Sequence, residues 1–246
     1  MVDPRTSIIT ERMKDIRNII AVSGGKGGVG KSLVASTLTL ILARKGFKVG
    51  LFDLDFTSPS THLILGVKGI QPKEEKGIVP PKIHGLQYMS IIFYSADLAT
   101  PLRGADASNA LIELLSITKW EPLDYLVLDM PPGISDATLD IIRLIRNIKF
   151  LIVTTPSQLA FETVKKLTIL LTSTKIPVIG IVENMKMNNS QSIQKQAEKT
   201  DLKYLGEIPY DMKVEATLGN TSKLLKTTFA KRIGQIATKI QDPNIV

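Results

Sequence analysis

No cysteine occurs among the 246 residues. Disulfides, a thiolate metal site and a cysteine nucleophile are therefore excluded for this chain. Histidine is nearly absent. His62 and His84 are the only two, and they lie far apart, a poor basis for a zinc site. No apolar run approaches the roughly 18–20 residues that a membrane-spanning helix needs. The opening stretch, MVDPRTSIITERMKDIRN, lacks the apolar core of a secretory signal, so a cytoplasmic address is expected. Also missing are internal repeats, low-complexity tracts and any break in composition. Residues 1–246 are expected to form a single domain with a sizeable core.

The remaining composition is that of a soluble globular protein, with 43% hydrophobic and 22% charged residues. Lysine and arginine outnumber aspartate and glutamate by 31 to 23, a net charge of +8. The cations are scattered, with no block of five or more like charges, and read as a solvated basic surface.

Along the chain, apolar strand-like runs alternate with helical patterns. Helices are expected over 4–17, 31–44, 106–117, 136–145, 158–172 and 223–240. Strands are expected over 19–23, 48–52, 87–92, 125–128, 150–154, 178–182 and 204–206. Residues 67–85 are rich in Gly, Pro and Lys and read as a long exposed loop with room for a small hairpin. Trp120 reads as a packing residue. The alternation implies an α/β fold, a mostly parallel twisted sheet with helices on both faces.

The sharpest signal follows the first strand. Gly25 to Ser32 spell G-x-x-x-x-G-K-S, between a strand and a helix, the pattern of a P-loop NTPase. Glycines let successive N–H groups curl around an anion, and the helix start adds its positive dipole end. The loop amides of Gly25, Gly27, Gly28, Val29 and Gly30, with Lys31, Ser32 and Leu33, are the expected phosphate contacts. Lys31 reaches the β- and γ-phosphates and Ser32 offers a hydroxyl to Mg²⁺.

Two acidic sites stand at strand ends, where ligands of parallel sheets bind. Asp129, after Leu126-Val127-Leu128, suits a Mg²⁺ site. Pro131-Pro132-Gly133 follows, and the Gly133 N–H is expected at the γ-phosphate. Asp53 and Asp55 lie two apart and would share a side in extended chain. One is then free to support the Mg²⁺ shell and the other to orient the attacking water.

The loop GGKGGVGKS resembles the deviant phosphate loop of the MinD/ParA/nitrogenase-iron-protein class. That resemblance implies that Lys26 crosses to the ATP of a second subunit, so that ATP bridges a homodimer. Further matching stretches are 49–66 (VGLFDLDFTSPSTHLILG), Arg103-Gly104, 120–125 (WEPLDY), 128–136 (LDMPPGISD), 153–160 (VTTPSQLA), 177–185 (PVIGIVENM) and 205–211 (LGEIPYD). Together they resemble the Mrp/ApbC-like branch of these ATPases. By position, Asp55 is then the switch-I aspartate of hydrolysis, and Asp129 and Gly133 belong to switch II. Asn184, with Pro209 and Asp211, would contact adenine.

The sequence departs from that branch at Leu54 and at Thr57-Ser58. Many members also carry Cys-x-x-Cys soon after the ENM segment, bridging an iron–sulfur cluster. Here Glu183 to Gln191 read ENMKMNNSQ, so no cluster is expected on this chain's own ligands. The expected output is a slow ATPase, needing ATP/ADP and Mg²⁺, that assembles or delivers something for an unidentified protein client. A ParA-like DNA-bound switch is a second reading. A membrane-surface role for the last helix is a third, set below packing of Leu225, Phe229, Ile233, Ile236 and Ile240 into the core.

Overall fold

The computed structural model describes residues 3–95, 105–187 and 190–242. The elements in chain order are α1 (Arg5–Met13), β1 (Ile16–Ser23), α2 (Lys31–Arg44), β2 (Val49–Asp53) and α3 (Thr61–Leu65). Next come β3 (Lys73–Glu74), β4 (Ile78–Val79), β5 (Lys82–Ile83), β6 (Leu86–Ser90), α4 (Ile92–Ser95) and α5 (Ala105–Ile117). They continue with β7 (Leu123–Asp129), α6 (Asp136–Leu144), β8 (Ile148–Thr154), α7 (Gln158–Ser173) and β9 (Val178–Lys186). Last are α8 (Ser192–Lys199), β10 (Tyr204–Pro209), α9 (Thr221–Leu224) and α10 (Thr228–Ile240).

One sheet of eight strands runs in the order β10-β9-β8-β1-β7-β2-β6-β5. All its pairings are parallel except β5 against β6. Successive side chains of a strand face opposite ways, so each strand feeds two cores. Ile19 and Ala21 pack with Leu126, Phe150 and Phe161 on the face covered by α1, α5, α6, α7 and α8. Ile20 and Val22 pack with Val34, Leu38, Val127 and Ile233 on the face covered by α2 and α10. Trp120 stacks edge-on against Phe52, with ring centroids 5.4 Å apart, in its expected packing role.

Several expected boundaries move. The helix expected over 4–17 stops at Met13, and Ile16 already pairs with Leu123 as the start of β1. The ladder to β7 overrides the local helical spacing there. Strands β9 and β10 run on to Lys186 and Pro209, past the expected 182 and 206. The helix expected over 223–240 is two pieces. Thr227 interrupts it by taking the N-cap of α10, its hydroxyl accepting from the Ala230 N–H at 3.1 Å. Helices α3, α4 and α8 were not expected. Within 67–85 the hairpin is present as the two-residue pair β3–β4. Arg103 and Gly104 lie outside the described residues.

The apolar stripe of α10 is spent on the core. Phe229, Ile233, Ile236 and Ile240 are each at most 5% exposed, against the α2 side of the sheet. No helix among the described residues is long and apolar enough to cross a membrane. Ile233→Ala should cost about 2–5 kcal/mol of stability, read by urea unfolding. An unchanged unfolding midpoint would show that this face is not core.

Candidate nucleotide site

Strand β1 sits between β7 and β8, so three parallel strands deliver their carboxyl ends to one place. The loop 24–30 leaves β1 there and enters α2. Gly30 takes the N-cap position of α2 at φ +88, a backbone that side-chain-bearing residues rarely adopt. A Cβ on Gly30 would also fall 2.3 Å from Asn184 Nδ2, and one on Gly25 would fall 2.0 Å from Thr163 Oγ1. The loop is thus clamped by its neighbours rather than merely permissive.

A cavity of about 440 Å³ opens on this loop, lined by Gly27, Gly28, Gly30, Lys31, Ser32, Leu33 and Asp55. Lys31 is buried and Lys26 is exposed. Val29 is buried, and its carbonyl accepts from Asn184 Nδ2 at 2.9 Å. A smaller cavity of about 130 Å³ adjoins it, lined by Asn184, Pro209, Tyr210 and Asp211 with Phe229. Leu33, Met185, Val214 and Glu215 line both. The groove therefore has a polar, amide-rich end and an end of base-like dimensions, and it gathers most of the expected residues.

The acidic residues divide in a way their spacing does not reveal. Strand β2 ends at Asp53, so the extended alternation that would align Asp53 with Asp55 ends too. Asp53 turns inward. Its Oδ2 accepts from the Thr61 hydroxyl at 2.6 Å and the Thr61 N–H at 3.2 Å, and its Oδ1 from the Asp55 N–H at 3.2 Å. It fixes the first residue of α3. Asp55 lines the cavity. Its Oδ1 accepts from the Thr57 hydroxyl at 2.6 Å and from the Thr57 and Ser58 N–H groups at 3.2 Å. Thr57 and Ser58, two of the three residues that depart from the family pattern, thus fix this aspartate.

Asp129 is the opposite case. It is fully buried, and neither carboxylate oxygen has a hydrogen-bond partner within bonding distance among the described residues. Burial and the adjacent Asp53 push its carboxyl well above the usual range, while Ser32 and Lys31 pull it back. Asp53 is its register partner across β2 and β7. Orphaned, buried oxygens beside a serine hydroxyl suit a hard cation such as Mg²⁺, which binds oxygen donors. Gly133 differs from expectation in another way. Its N–H donates to the Gly24 carbonyl at 3.3 Å, so the amide is engaged with the phosphate loop itself. His84 serves the fold, its Nε2 2.8 Å from the Leu65 carbonyl.

Sequence reasoning missed Met185, Val214, Glu215 and Phe229 as lining residues. Phe229 was read only as core. Met185 carries no local signal, because its φ of +60 is a left-handed backbone at a non-glycine residue.

Burial pushes the Asp53 carboxyl up to about 6 from the usual 3.8. Between those values the folded chain keeps a proton that the unfolded chain has lost. Stability from this group is therefore lost as pH rises from about 4 to about 6. Urea unfolding of the nucleotide-free protein should show that loss, and Asp53→Asn should flatten it. Asp129→Asn removes an unpartnered buried charge. It should raise the Tm of the nucleotide-free protein, at about 2–4 °C per kcal/mol, while Mg²⁺ no longer raises the Tm measured with nucleotide. A lower Tm without nucleotide would show that the carboxylate is satisfied in the folded chain.

The family described as NUBPL iron-transfer P-loop NTPase, of the ParA group, matches residues 15–243. The iron–sulfur cluster carrier protein of Haemophilus influenzae is 37% identical over 93% of this chain and 67% of its own length. That of Salmonella typhimurium is 40% identical over 82% of this chain and 59% of its own length. The chain thus spans only about three fifths to two thirds of these bacterial relatives. The cytosolic Fe-S cluster assembly factor Nubp2 homolog 2 of Drosophila yakuba is 32% identical over 93% of this chain and 96% of its own length. Among solved structures, a nucleotide-binding protein from Archaeoglobus fulgidus in complex with ADP superposes with a TM-score of 0.76 at 30% identity. It covers 90% of this chain and 93% of that one. The cell-division ATPase MinD of Pyrococcus furiosus superposes at 0.69 and 20% identity, a likeness of fold that covers 92% of this chain and 98% of that one. Matched by one family from residue 15 to 243, and by its curated members at more than 30% identity, the chain belongs to the Mrp/ApbC/Nubp family of P-loop NTPases, in the MinD/ParA class.

Proposed function

We propose that residues 1–246 act as one Mg²⁺-dependent ATPase domain that binds ATP between two copies of itself and hydrolyses it slowly. The observation that carries this reading is Asp129, with two buried and unpartnered oxygens at the foot of the phosphate loop. Lys31 and the amides of 25–33 hold the phosphates. Ser32, Asp129 and Asp55 are the residues that would hold Mg²⁺, which when bound neutralises charge on the β- and γ-oxygens. Asp55 orients the attacking water, and Lys26 completes the site of the second copy. Gly133 meets the γ-phosphate by giving up its bond to Gly24. Asn184, Pro209 and Asp211 contact the adenine. One amide hydrogen of Asn184 is spent on Val29, which leaves its second N–H and its carboxamide oxygen for the base. Catalysis of this kind rests on positioning and charge stabilisation, which fits a slow turnover.

The relatives named as iron–sulfur carriers and as a cluster assembly factor support an assembly or delivery role, set in the cytoplasm. The ADP-bound archaeal structure supports nucleotide use. A cluster would be cargo here, and thiolates for it must come from a client, because these 246 residues contain no cysteine. A membrane-surface role is disfavoured because the apolar face of α10 is already buried. DNA is not favoured as a partner, since no feature of the groove calls for it.

Lys31→Ala should abolish ATP binding in calorimetry, and tight binding by that variant would overturn the assignment. Lys26→Ala should still bind ATP, yet lose the ATP-dependent doubling of mass in light scattering. Asp55→Asn should bind ATP with phosphate release slowed by about 100-fold or more. Incubation of the purified protein with ferrous iron and sulfide should leave no cluster absorbance on the desalted chain.

A further inference from the structure

Strand β9 breaks its own alternation at the edge of the groove. In a regular strand, side chains three apart point to opposite faces. Glu183 and Lys186 nevertheless meet, with Nζ 3.0 Å from Glu183 Oε2. The cause is Met185, whose φ of +60 turns the chain between them. The same turn brings two successive side chains, Asn184 and Met185, to the nucleotide groove. A left-handed backbone at a non-glycine residue is unfavourable and persists only where its surroundings hold it.

The surroundings are built around Lys186. Its side chain is 5% exposed, and its Nζ also lies 2.7 Å from Glu207 Oε2 on β10. The Tyr204 hydroxyl donates to Glu183 Oε2 at 2.7 Å, and the Tyr210 N–H donates to the Lys186 carbonyl at 2.9 Å. Burial disfavours the ammonium, but Glu207 and Glu183 outweigh it and keep it charged. One buried cation thus fastens the end of β9, which carries Asn184 and Met185, to the end of β10, which leads into Pro209, Tyr210 and Asp211. These are the two segments that wall the small cavity.

We propose that Lys186 is a positioning residue for the nucleotide base. Its double ion pair holds the left-handed turn at Met185 and so fixes the width of the base pocket, with Met185 packed against the nucleotide. The proposal rests on the reading of the groove as an ATP site. It goes beyond that reading by assigning the shape of the base pocket to a buried ion pair behind the residues that contact the base.

The test compares two ligands that share phosphates but not a base, Mg·ATP and Mg·tripolyphosphate, each titrated calorimetrically. Removing Lys186 alone would strand the buried Glu183, so the main variant is the double change Glu183→Gln/Lys186→Met. It should bind ATP at least tenfold more weakly than the wild type and tripolyphosphate equally well. Met185→Gly relaxes the turn, and should leave Tm no lower while weakening ATP binding in the same ligand-selective way. Glu207→Gln, on the half-exposed partner, should fall between wild type and the double variant. Equal losses for both ligands would mean general damage to the fold and would overturn the proposal, as would no loss for either. A wild-type protein that binds ATP no better than tripolyphosphate would instead remove the base pocket, and the ATP reading with it.

Discussion

Two carboxylates with no exposure end neighbouring strands, and the fold around the phosphate loop is organised by how each is satisfied. A buried carboxylate is costly unless bonds or charges compensate it. Asp53 is compensated from within. Thr61 supplies two bonds, and its hydroxyl also lies 2.9 Å from the Tyr88 hydroxyl, tying α3 down onto the sheet. Among the described residues, Asp129 is compensated only by the nearness of Ser32 and Lys31. The asymmetry leaves one strand end structural and the other available to a cation. It also sets the shape of the switch segment, because the cap on α3 fixes where the chain resumes after Asp55.

Much of this was legible from residue order. Gly25 to Ser32 name a strand–loop–helix whose geometry follows from glycine and the helix start. Asp129 stands out in the sequence because it follows the apolar run Leu126-Val127-Leu128 at a strand end. The departures from sequence spacing share a physical cause. Strand periodicity would put Asp53 and Asp55 on one side, and β2 stops at Asp53. Lys186 and Glu183 were not paired, because their spacing on a strand separates them until Met185 adopts a left-handed backbone. Helix α8 was missed because it buries only Ile193 and Ala197, too few apolar positions to set a pattern. The start of β1 was misplaced because local spacing is weaker than a ladder to β7.

The family supplies a second kind of contrast. Its curated members include proteins named as iron–sulfur carriers, whereas this chain offers no thiolate at all. The nucleotide groove and the segment after β9 are separate parts in physical terms. One is built from loop amides and strand-end carboxylates, the other from whatever side chains follow Lys186. The groove calls on no thiolate, so the absence of cysteine leaves its residues in place.

The hydrogen bond from Gly133 to the Gly24 carbonyl latches the switch loop to the phosphate loop. On the proposed reading, a third phosphate is a rival acceptor for that one donor. A charged acceptor outbids a neutral carbonyl, since charge-assisted bonds are roughly twice as strong. A diphosphate brings no such rival and leaves the loop latched to itself. The difference between the two nucleotides is then registered as a change of acceptor at a single peptide nitrogen, with no side chain required to read it.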